Sequence, residues 1–298
     1  MKRLAGLVLG VLLVLGALVP QAHAGLFFYD NQVNELIYNN YENLFDAAGV
    51  LKSPFAPPVV GDHLAGIFSV NKINDITGGG SFNTATTTAF TGTFAQRITS
   101  VTPVAGGFSL TLGNPALTTF TDGAGDTFTL TGLLGGGRMF ALYSDPSPGG
   151  TSFTFQGTLL GNVTVAQDGT LLLTAGLNPA DAGDVALATA PIFIPPFPLG
   201  ISTISSTIVD NPIGYIGFGD VTFAGLTGQL VVRSRFEPYS GIPGFGFPGG
   251  DPLSKWGFSS FDPARFQPFV PEPASLSLLG MGLASMGLFG RKKWFVRA

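Results

Sequence analysis

Residues 108–112 read Phe-Ser-Leu-Thr-Leu, with large apolar side chains at every second position and small hydroxyl side chains between them. Successive side chains of an extended strand point to opposite faces, so this pattern predicts a β-strand with one buried face. The alternation recurs at Phe128 and Leu130, Phe153 and Phe155, Val163 and Val165, Leu171 and Leu173, and Val221 and Phe223. The sequence therefore predicts a mainly β protein.

Turn signals separate these alternating runs, at Gly78-Gly79-Gly80, Asp145-Pro146 and Asp168-Gly169. Gly, Asp and Pro favour the backbone conformations that tight turns need. Asp168-Gly169 lies between two alternating runs and predicts a β-hairpin. Many short strands joined by frequent turns are typical of an antiparallel sandwich or an irregular barrel-like sheet, and both architectures remain open at this point.

One amphipathic helix is predicted before the strands, at about residues 31–48. Asp30 is a suitable N-cap and Gly49 a suitable stop. Apolar side chains follow at three- and four-residue spacing, namely Val33, Leu36, Ile37, Tyr41, Leu44 and Phe45. Because this spacing places them on one helical face, we expect the helix to pack against the sheet.

The N-terminus has the layout of a secretory signal peptide, residues 1–24. Lys2 and Arg3 precede an uncharged apolar run, and Ala22-His23-Ala24 matches the small-x-small pattern that signal peptidase recognises. We expect cleavage between Ala24 and Gly25, which makes signal peptidase a partner. The exported body is then predicted to comprise residues 25–236.

Composition narrows the classes of partner and of site. The chain has no Cys, which excludes disulfides and thiolate metal sites. Between Gly25 and Val270 it carries 17 acidic and 8 basic residues, a net charge of −9. Since nucleic acids and anionic lipids require clustered cations, we expect neither as a partner.

The C-terminus combines three features in a fixed order. Val270-Pro271-Glu272-Pro273 comes first, followed by the uncharged residues 274–290, and Arg291-Lys292-Lys293 comes directly after them. A helix over residues 274–290 would be about 25 Å long, enough for a thin bilayer. The basic cluster is predicted to stop transfer and to stay in the cytoplasm. Residues 269–298 therefore predict a tail with one transmembrane helix.

This tail resembles the PEP-CTERM sorting signal of Gram-negative bacteria. The resemblance rests on Pro271-Glu272-Pro273, the short apolar stretch and the basic end, and it covers only residues 269–298. It implies recognition and cleavage by the membrane protease exosortase. The expected route is an inner-membrane intermediate, followed by the cell surface or the extracellular matrix. A second, shorter stretch, Gly61 to Val70, resembles flocculation-associated members of the same class.

Residues 237–268 are rich in Pro, Gly and aromatic side chains and allow two interpretations. They form either a final strand with an extended spacer, or a set of exposed rings that stack on sugars or self-associate. The aromatic residues of interest in this segment are Phe245, Phe247, Trp256, Phe258, Phe261 and Phe266, and Phe269 follows directly after it.

Catalytic chemistry has little support in the body. His63 is the only His left after signal removal, and Glu35 and Glu42 fall on the predicted helix, which leaves Glu237. The acidic pairs Asp122 with Asp126 and Asp181 with Asp184 are interpreted as turns, because calcium needs more ligands than two carboxylates. We therefore predict no catalytic, cofactor-binding or metal residue and no cofactor.

We expect a non-catalytic matrix or adhesion protein that supports biofilm or floc formation, with extracellular polysaccharide as a partner. Two alternatives stay open. One is a carbohydrate-binding module with a defined sugar site, and the other is a divergent glycosidase that uses a pair of carboxylates.

Overall fold

The computed structural model of the chain describes residues 28–53, 56–83, 89–145, 156–191, 200–238 and 256–269. These residues form sixteen β-strands, one α-helix and a single 3-10 turn at Thr131–Leu133. In chain order the elements are β1 (Asn34–Phe45), β2 (His63–Asp75), β3 (Ser81–Asn83), β4 (Ala89–Val104), β5 (Gly107–Gly113), β6 (Thr119–Thr121), β7 (Thr127–Thr129), β8 (Phe140–Asp145), α1 (Leu159–Ala166), β9 (Thr170–Gly176), β10 (Val185–Pro191), β11 (Gly200–Asp210), β12 (Gly217–Gly219), β13 (Val221–Phe223), β14 (Leu226–Gly228), β15 (Leu230–Pro238) and β16 (Phe258–Phe269).

The large sheet is antiparallel and closes on itself. β1 pairs with β2, β2 pairs with β4, and on the other side β1 pairs with β16, β16 with β15, and β15 with β11. Two routes connect β4 to β11, one through β8 and β9 and the other through β5 and β10. The mainly β, antiparallel prediction is confirmed, and the closed ring corresponds to the barrel-like alternative.

The two routes exist because β4 and β11 are long enough to change partners along their length. Residues Ala89 to Phe94 of β4 pair with β8, whereas Arg97 to Val104 pair with β5. A register shift between Ile98 and Ser100 follows this change of partner. Such irregularities bend a strand and increase its twist, which helps a sheet to curve into a closed shape.

The predicted helix at residues 31–48 is wrong, because most of this segment is strand β1. Burial alternates from Asn34 to Glu42, and β1 has hydrogen-bonded neighbours on both sides. The apolar positions fit a helical spacing, but Leu36, Tyr38 and Leu44 also fit a spacing of two. Asn is a poor helix former, and β1 contains four Asn residues. Pairing with distant strands therefore overrides the local pattern.

The strand predicted at Val163 and Val165, with its hairpin at Asp168-Gly169, is also wrong. These valines lie in α1, whose N-cap Thr158 accepts a hydrogen bond from the backbone N–H of Gly161 at 3.0 Å. Asp168-Gly169 connects α1 to β9 instead of joining two strands. The helix buries Leu159, Val163 and other apolar side chains of one face, which explains why it forms here.

Two apolar clusters lie on opposite faces of the sheet. The interior cluster fills the closed ring and includes Phe68, Phe94 and Phe266. The outer cluster lies between the outward faces of β2, β4 and β8 and a covering layer made of α1 and the β6–β7 hairpin; its members are Phe45, Ala65, Ile67, Ala95, Phe120, Phe128, Leu130, Leu133, Ala141, Tyr143, Leu159, Val163, Ala166 and Trp256. The ring is thus filled inside and partly covered outside.

The predicted signal peptide and the predicted transmembrane helix at residues 274–290 lie outside the described residues. Within the described ranges, no helix combines the length and the apolar character that crossing a membrane requires.

Candidate functional site in the sheet interior

The closed sheet surrounds a cavity of about 40 Å³. Most of its walls are apolar, but five polar side chains face it besides Tyr38. The lining residues are Leu36, Tyr38, Asn40, Glu42, Phe68, Phe94, Gln96, Phe140, Leu142, Leu173, Ser202, Ile204, Leu230, Val232, Ser234, Ala264 and Phe266. A cavity of this size has room for about three water-sized groups.

A row of polar side chains crosses the interior on four adjacent strands. Ser202 on β11 pairs with Ser234 on β15, and Asp262 on β16 pairs with Tyr38 on β1. The register between β15 and β16 places Ser234 opposite Asp262, so the four residues form one continuous row. A side-chain hydrogen bond also joins Tyr38 and Ser234. We call these four residues the polar row.

Glu42 lies on the same inward face of β1 as Tyr38, four residues further along the strand. Burial and then the nearby Asp262 carboxyl raise the pKa of Glu42 to about 8. The same two causes, burial first, raise the pKa of Tyr38 well above its usual value. Glu42 is therefore mostly protonated at neutral pH, because a charged carboxylate is costly in an apolar interior.

Three of the polar side chains that line the cavity are almost completely buried. They are Glu42, Gln96 and Ser202, which are 2%, 5% and 2% exposed. Buried polar groups in proteins are almost always hydrogen-bonded, to protein or to ordered water. The cavity therefore brings buried polar side chains together with mostly apolar walls.

Gly66 makes room for Glu42 on the neighbouring strand. It pairs with Glu42, and a Cβ at this position would lie 2.9 Å from Glu42 Cα and 3.0 Å from Glu42 Cβ. Gly92 on β4 has a similar role, because its missing side chain leaves space for the Phe68 ring. Both glycines leave space for side chains that line the cavity, Glu42 and Phe68.

His63 and Glu35 lie away from this cavity. His63 is buried at the start of β2 against Phe120, its Nε2 accepts a hydrogen bond from Ala116 N–H at 3.3 Å, and burial lowers its pKa. Glu35 forms an ion pair with Arg265 at 2.6 Å. Glu237 lies on β15, but its side chain is outside the described part of the structure.

The acidic pairs stabilise turns with their carboxylates. Asp122 Oδ1 accepts hydrogen bonds from the N–H groups of Ala124 and Asp126 at 2.8 and 2.9 Å. Asp184 Oδ2 accepts one from Asn178 N–H at 2.7 Å. No group of three or more His, Cys, Asp or Glu side chains suited to a metal ion occurs among the described residues.

Sequence reasoning missed the interior position of Glu42, since it assigned this residue to a packing helix. The signal was present in the alternation of Asn34, Leu36, Tyr38, Asn40 and Glu42. Because the segment was predicted to be a helix, the period of two that turns Asn40 and Glu42 into the ring was not recognised.

β16, the last strand that the structure describes, ends at Phe269, and the predicted motif Val270 to Pro273 follows directly. Among known protein families, the PEP-CTERM protein-sorting motif matches residues 269–293. The chain carries a PEP-CTERM sorting motif. This PEP-CTERM motif covers both Pro271-Glu272-Pro273 and Arg291-Lys292-Lys293, and it indicates a protein that is targeted to exosortase and exported to the cell surface.

The predicted sorting residues and the cleavage residues Ala22, Ala24 and Gly25 all lie outside the described structure. No curated protein and no solved structure is similar to the chain. The PEP-CTERM motif therefore identifies the tail, while the function of the body has to be argued from its own surface and interior.

Proposed function

We propose that the protein is processed by exosortase and acts without catalysis in exopolysaccharide-associated adhesion, biofilm or floc formation. The observation that carries this proposal is the sorting motif, whose match begins at Phe269, the last residue of β16. Only Val270 separates this strand from Pro271. The folded body is thus joined directly to the segment that directs it to the surface.

The outer face of β4, β5, β10 and β11 supports contact with polysaccharide. Where β4 pairs with β5, β5 with β10, and β10 with β11, this face carries hydroxyl and aliphatic side chains, namely Ser100, Thr102, Ser109, Thr111, Leu187, Thr189, Ile201 and Thr203. Neighbouring strands are about 4.8 Å apart, so these groups form a regular array. We call it the hydroxyl face. Many weak contacts on such an array act together along a polymer.

The aromatic residues before the tail give less support than the sequence indicated. Trp256 is 1% exposed in the outer cluster, and Phe266 is fully buried in the interior. Phe245 and Phe247 lie outside the described residues. Trp256 and Phe266 therefore stabilise the fold, and their interpretation as exposed sugar-stacking rings is wrong.

The glycosidase alternative requires a pair of carboxylates with access to a sugar. Glu42 and Asp262 both face the interior, but both are buried, and the cavity there has room for only about three water-sized groups. A hexose ring has several times that number of heavy atoms. The buried pair therefore favours the non-catalytic proposal.

Cell aggregation is the measurement that tests this function. Deleting the gene should weaken aggregation, and Thr111→Asp with Thr189→Asp should weaken it in part, because two carboxylates then interrupt the hydroxyl face. The matched control is Thr222→Asp, which changes an exposed strand Thr in the β13–β14 hairpin. If Glu42→Gln or Glu237→Gln alone reproduced the deletion, a discrete site would exist and the glycosidase or sugar-site alternative would replace this proposal.

A further inference from the structure

We propose, on the basis of the exosortase processing proposed above, that the end of β16 is part of the segment that exosortase binds. Its last three residues must leave their partners before the protease can hold Pro271-Glu272-Pro273 and cut the tail. The folded body thus controls access to its own sorting motif.

The last three residues of β16 have partners on both edges of the strand. Gln267, Pro268 and Phe269 pair with β12 on one edge. Phe269 O accepts a hydrogen bond from Ile216 N–H at 3.0 Å, and Pro268 O accepts one from Asn31 N–H at 3.0 Å. Because consecutive carbonyl groups of a strand point to opposite edges, Asn31 lies on the edge that β12 does not occupy. We call the partners Asn31, Ile216 and β12 the end clamp.

Side-chain contacts add to the backbone bonds of the end clamp. Gln267 Nε2 donates a hydrogen bond to Asn31 O at 3.1 Å. A Cβ on Gly219 of β12 would lie 2.6 Å from Phe269 Cζ, so the Phe269 ring packs where Gly219 has no side chain. The end of β16 is therefore closely packed against both partners in the folded body.

The paired residues reach almost to the motif. β16 is paired up to Phe269, and only Val270 separates this residue from Pro271. Proteins that bind a peptide in extended form make main-chain hydrogen bonds along it. The carbonyl groups of Pro268 and Phe269 already accept hydrogen bonds from the end clamp. A protease that binds the motif together with the residues before it therefore competes with the end clamp for the same groups.

Phe266 limits how far β16 opens. It is fully buried in the interior cluster and pairs with Asn34 of β1 and with Leu230 of β15. The end clamp, in contrast, holds only three residues at the end of a strand. Strand ends open locally at a far lower free energy than a core does. Opening therefore releases Gln267 to Phe269 while the ring stays closed.

A disulfide across the end clamp tests the proposal. Gly217 is the Cα partner of Phe269, a Cβ on Gly217 would meet nothing within 4 Å, and the parental chain has no Cys. Paired residues of antiparallel strands lie within the Cα distance that a disulfide needs. In the Gly217→Cys, Phe269→Cys chain, loss of the tail should slow by at least about tenfold, because the end clamp stays shut. Pulse labelling of cells followed by immunoblotting measures this conversion, and dithiothreitol should speed it again.

Two comparisons assign the effect to the end clamp. Thr222→Cys with Thr227→Cys links a cross-strand pair of the separate β13–β14 hairpin, and its conversion should not change with dithiothreitol. A short Gly-Ser spacer between Val270 and Pro271 gives exosortase unpaired residues to bind. The locked chain with this spacer should therefore lose its tail as fast without dithiothreitol as with it.

Ile216→Pro keeps the test decisive if the disulfide does not form. It removes the N–H group that Phe269 O accepts, while the Ile216 side chain is exposed, so conversion should become about twofold faster or more. Equal conversion of the oxidised and reduced locked chains, retention of the locked chain despite the spacer, or parental conversion of Ile216→Pro each overturns the proposal. Alanine in place of Pro271, Glu272 and Pro273 should retain the chain even with the spacer; its release would contradict exosortase processing itself.

Discussion

Tyr38 on β1 lies directly opposite Asp262 on β16, and both residues face the interior of the closed sheet. Tyr38 also shares a side-chain hydrogen bond with Ser234 on β15. A side-chain contact therefore joins β1 and β15, the two neighbours of β16, in addition to the backbone pairing of β16 with both strands. This arrangement links the first and the last described strands of the body.

The contribution of Glu42 to the stability of the fold should decrease as pH rises between about 4.5 and 8, whereas the lowered pKa of His63 acts in the opposite direction below its ordinary value of 6.5. The pKa of Glu42 moves from an ordinary 4.5 to about 8 on folding, so in this range the folded chain holds a proton that the unfolded chain has lost. The stabilisation is complete below pH 4.5 and is lost as pH rises through 8. One such group contributes a slope of about 1.4 kcal/mol per pH unit in the middle of this window.

Urea unfolding from pH 5 to pH 9 measures this slope. Glu42→Gln cannot titrate and should remove the decrease in stability between about pH 6.5 and pH 8, whereas Asp126→Asn should keep it. A Glu42→Gln chain with the parental slope would show that another group causes the dependence.

Gly66→Ala should destabilise the fold. The new Cβ would meet the backbone of Tyr41 and would lie 2.9 Å from Glu42 Cα, so β1 and β2 would have to shift apart. Crowding of this kind typically costs about 1–3 kcal/mol. The midpoint of urea unfolding reports the change. Gly217→Ala is the control, because its Cβ meets nothing within 4 Å; equal stability of the two variants would contradict the close approach of β1 and β2.

Trp256→Ala should lower the free energy of unfolding by about 3–5 kcal/mol, since it leaves a cavity beneath the outer layer. Trp256→Phe keeps most of the apolar volume and should cost less. Thermal unfolding followed by circular dichroism compares them. If Trp256→Ala kept the parental melting temperature but reduced cell aggregation, Trp256 would be an exposed contact residue instead.

Replacing Pro271, Glu272 and Pro273 with alanine should retain the protein in the inner membrane, because exosortase would no longer recognise the tail. Cell fractionation and immunoblotting give the distribution between membrane and surface. Alanine in place of Ser275 and Ser277 is the control and should allow normal release. Normal release of the triple variant would show that surface export does not depend on the matched motif.

The local sequence pattern predicted the secondary structure correctly where the apolar residues of a segment fit only one period. Phe108, Leu110 and Leu112 follow only a period of two, and β5 was predicted correctly. β1 satisfies both periods, because Leu36 and Leu44 fit a helix as well as a strand. The choice between them depends on pairing with β16, for instance Glu35 with Arg265, which are 230 residues apart.

The same dependence explains why the cavity was not predicted. Glu42 and Asp262 come to the same interior only when the ring closes, and no short stretch of sequence determines which strands become neighbours. The strand predicted at Val163 failed for a related reason. Its two valines suit either structure, and burial of one helical face against the outer side of the sheet selects α1.

The position of β16 between β1 and β15 has a consequence for the order of events during secretion. A chain that crosses the membrane from its N-terminus releases β1 first and β16 last, so both partner strands stay open while the remainder emerges. Open strand edges are sites of mispairing, and contacts so distant in sequence form slowly. Ring closure must therefore wait until residue 269 has left the translocation channel. We expect closure to take place beside the bilayer, because the predicted transmembrane tail follows residue 269 directly.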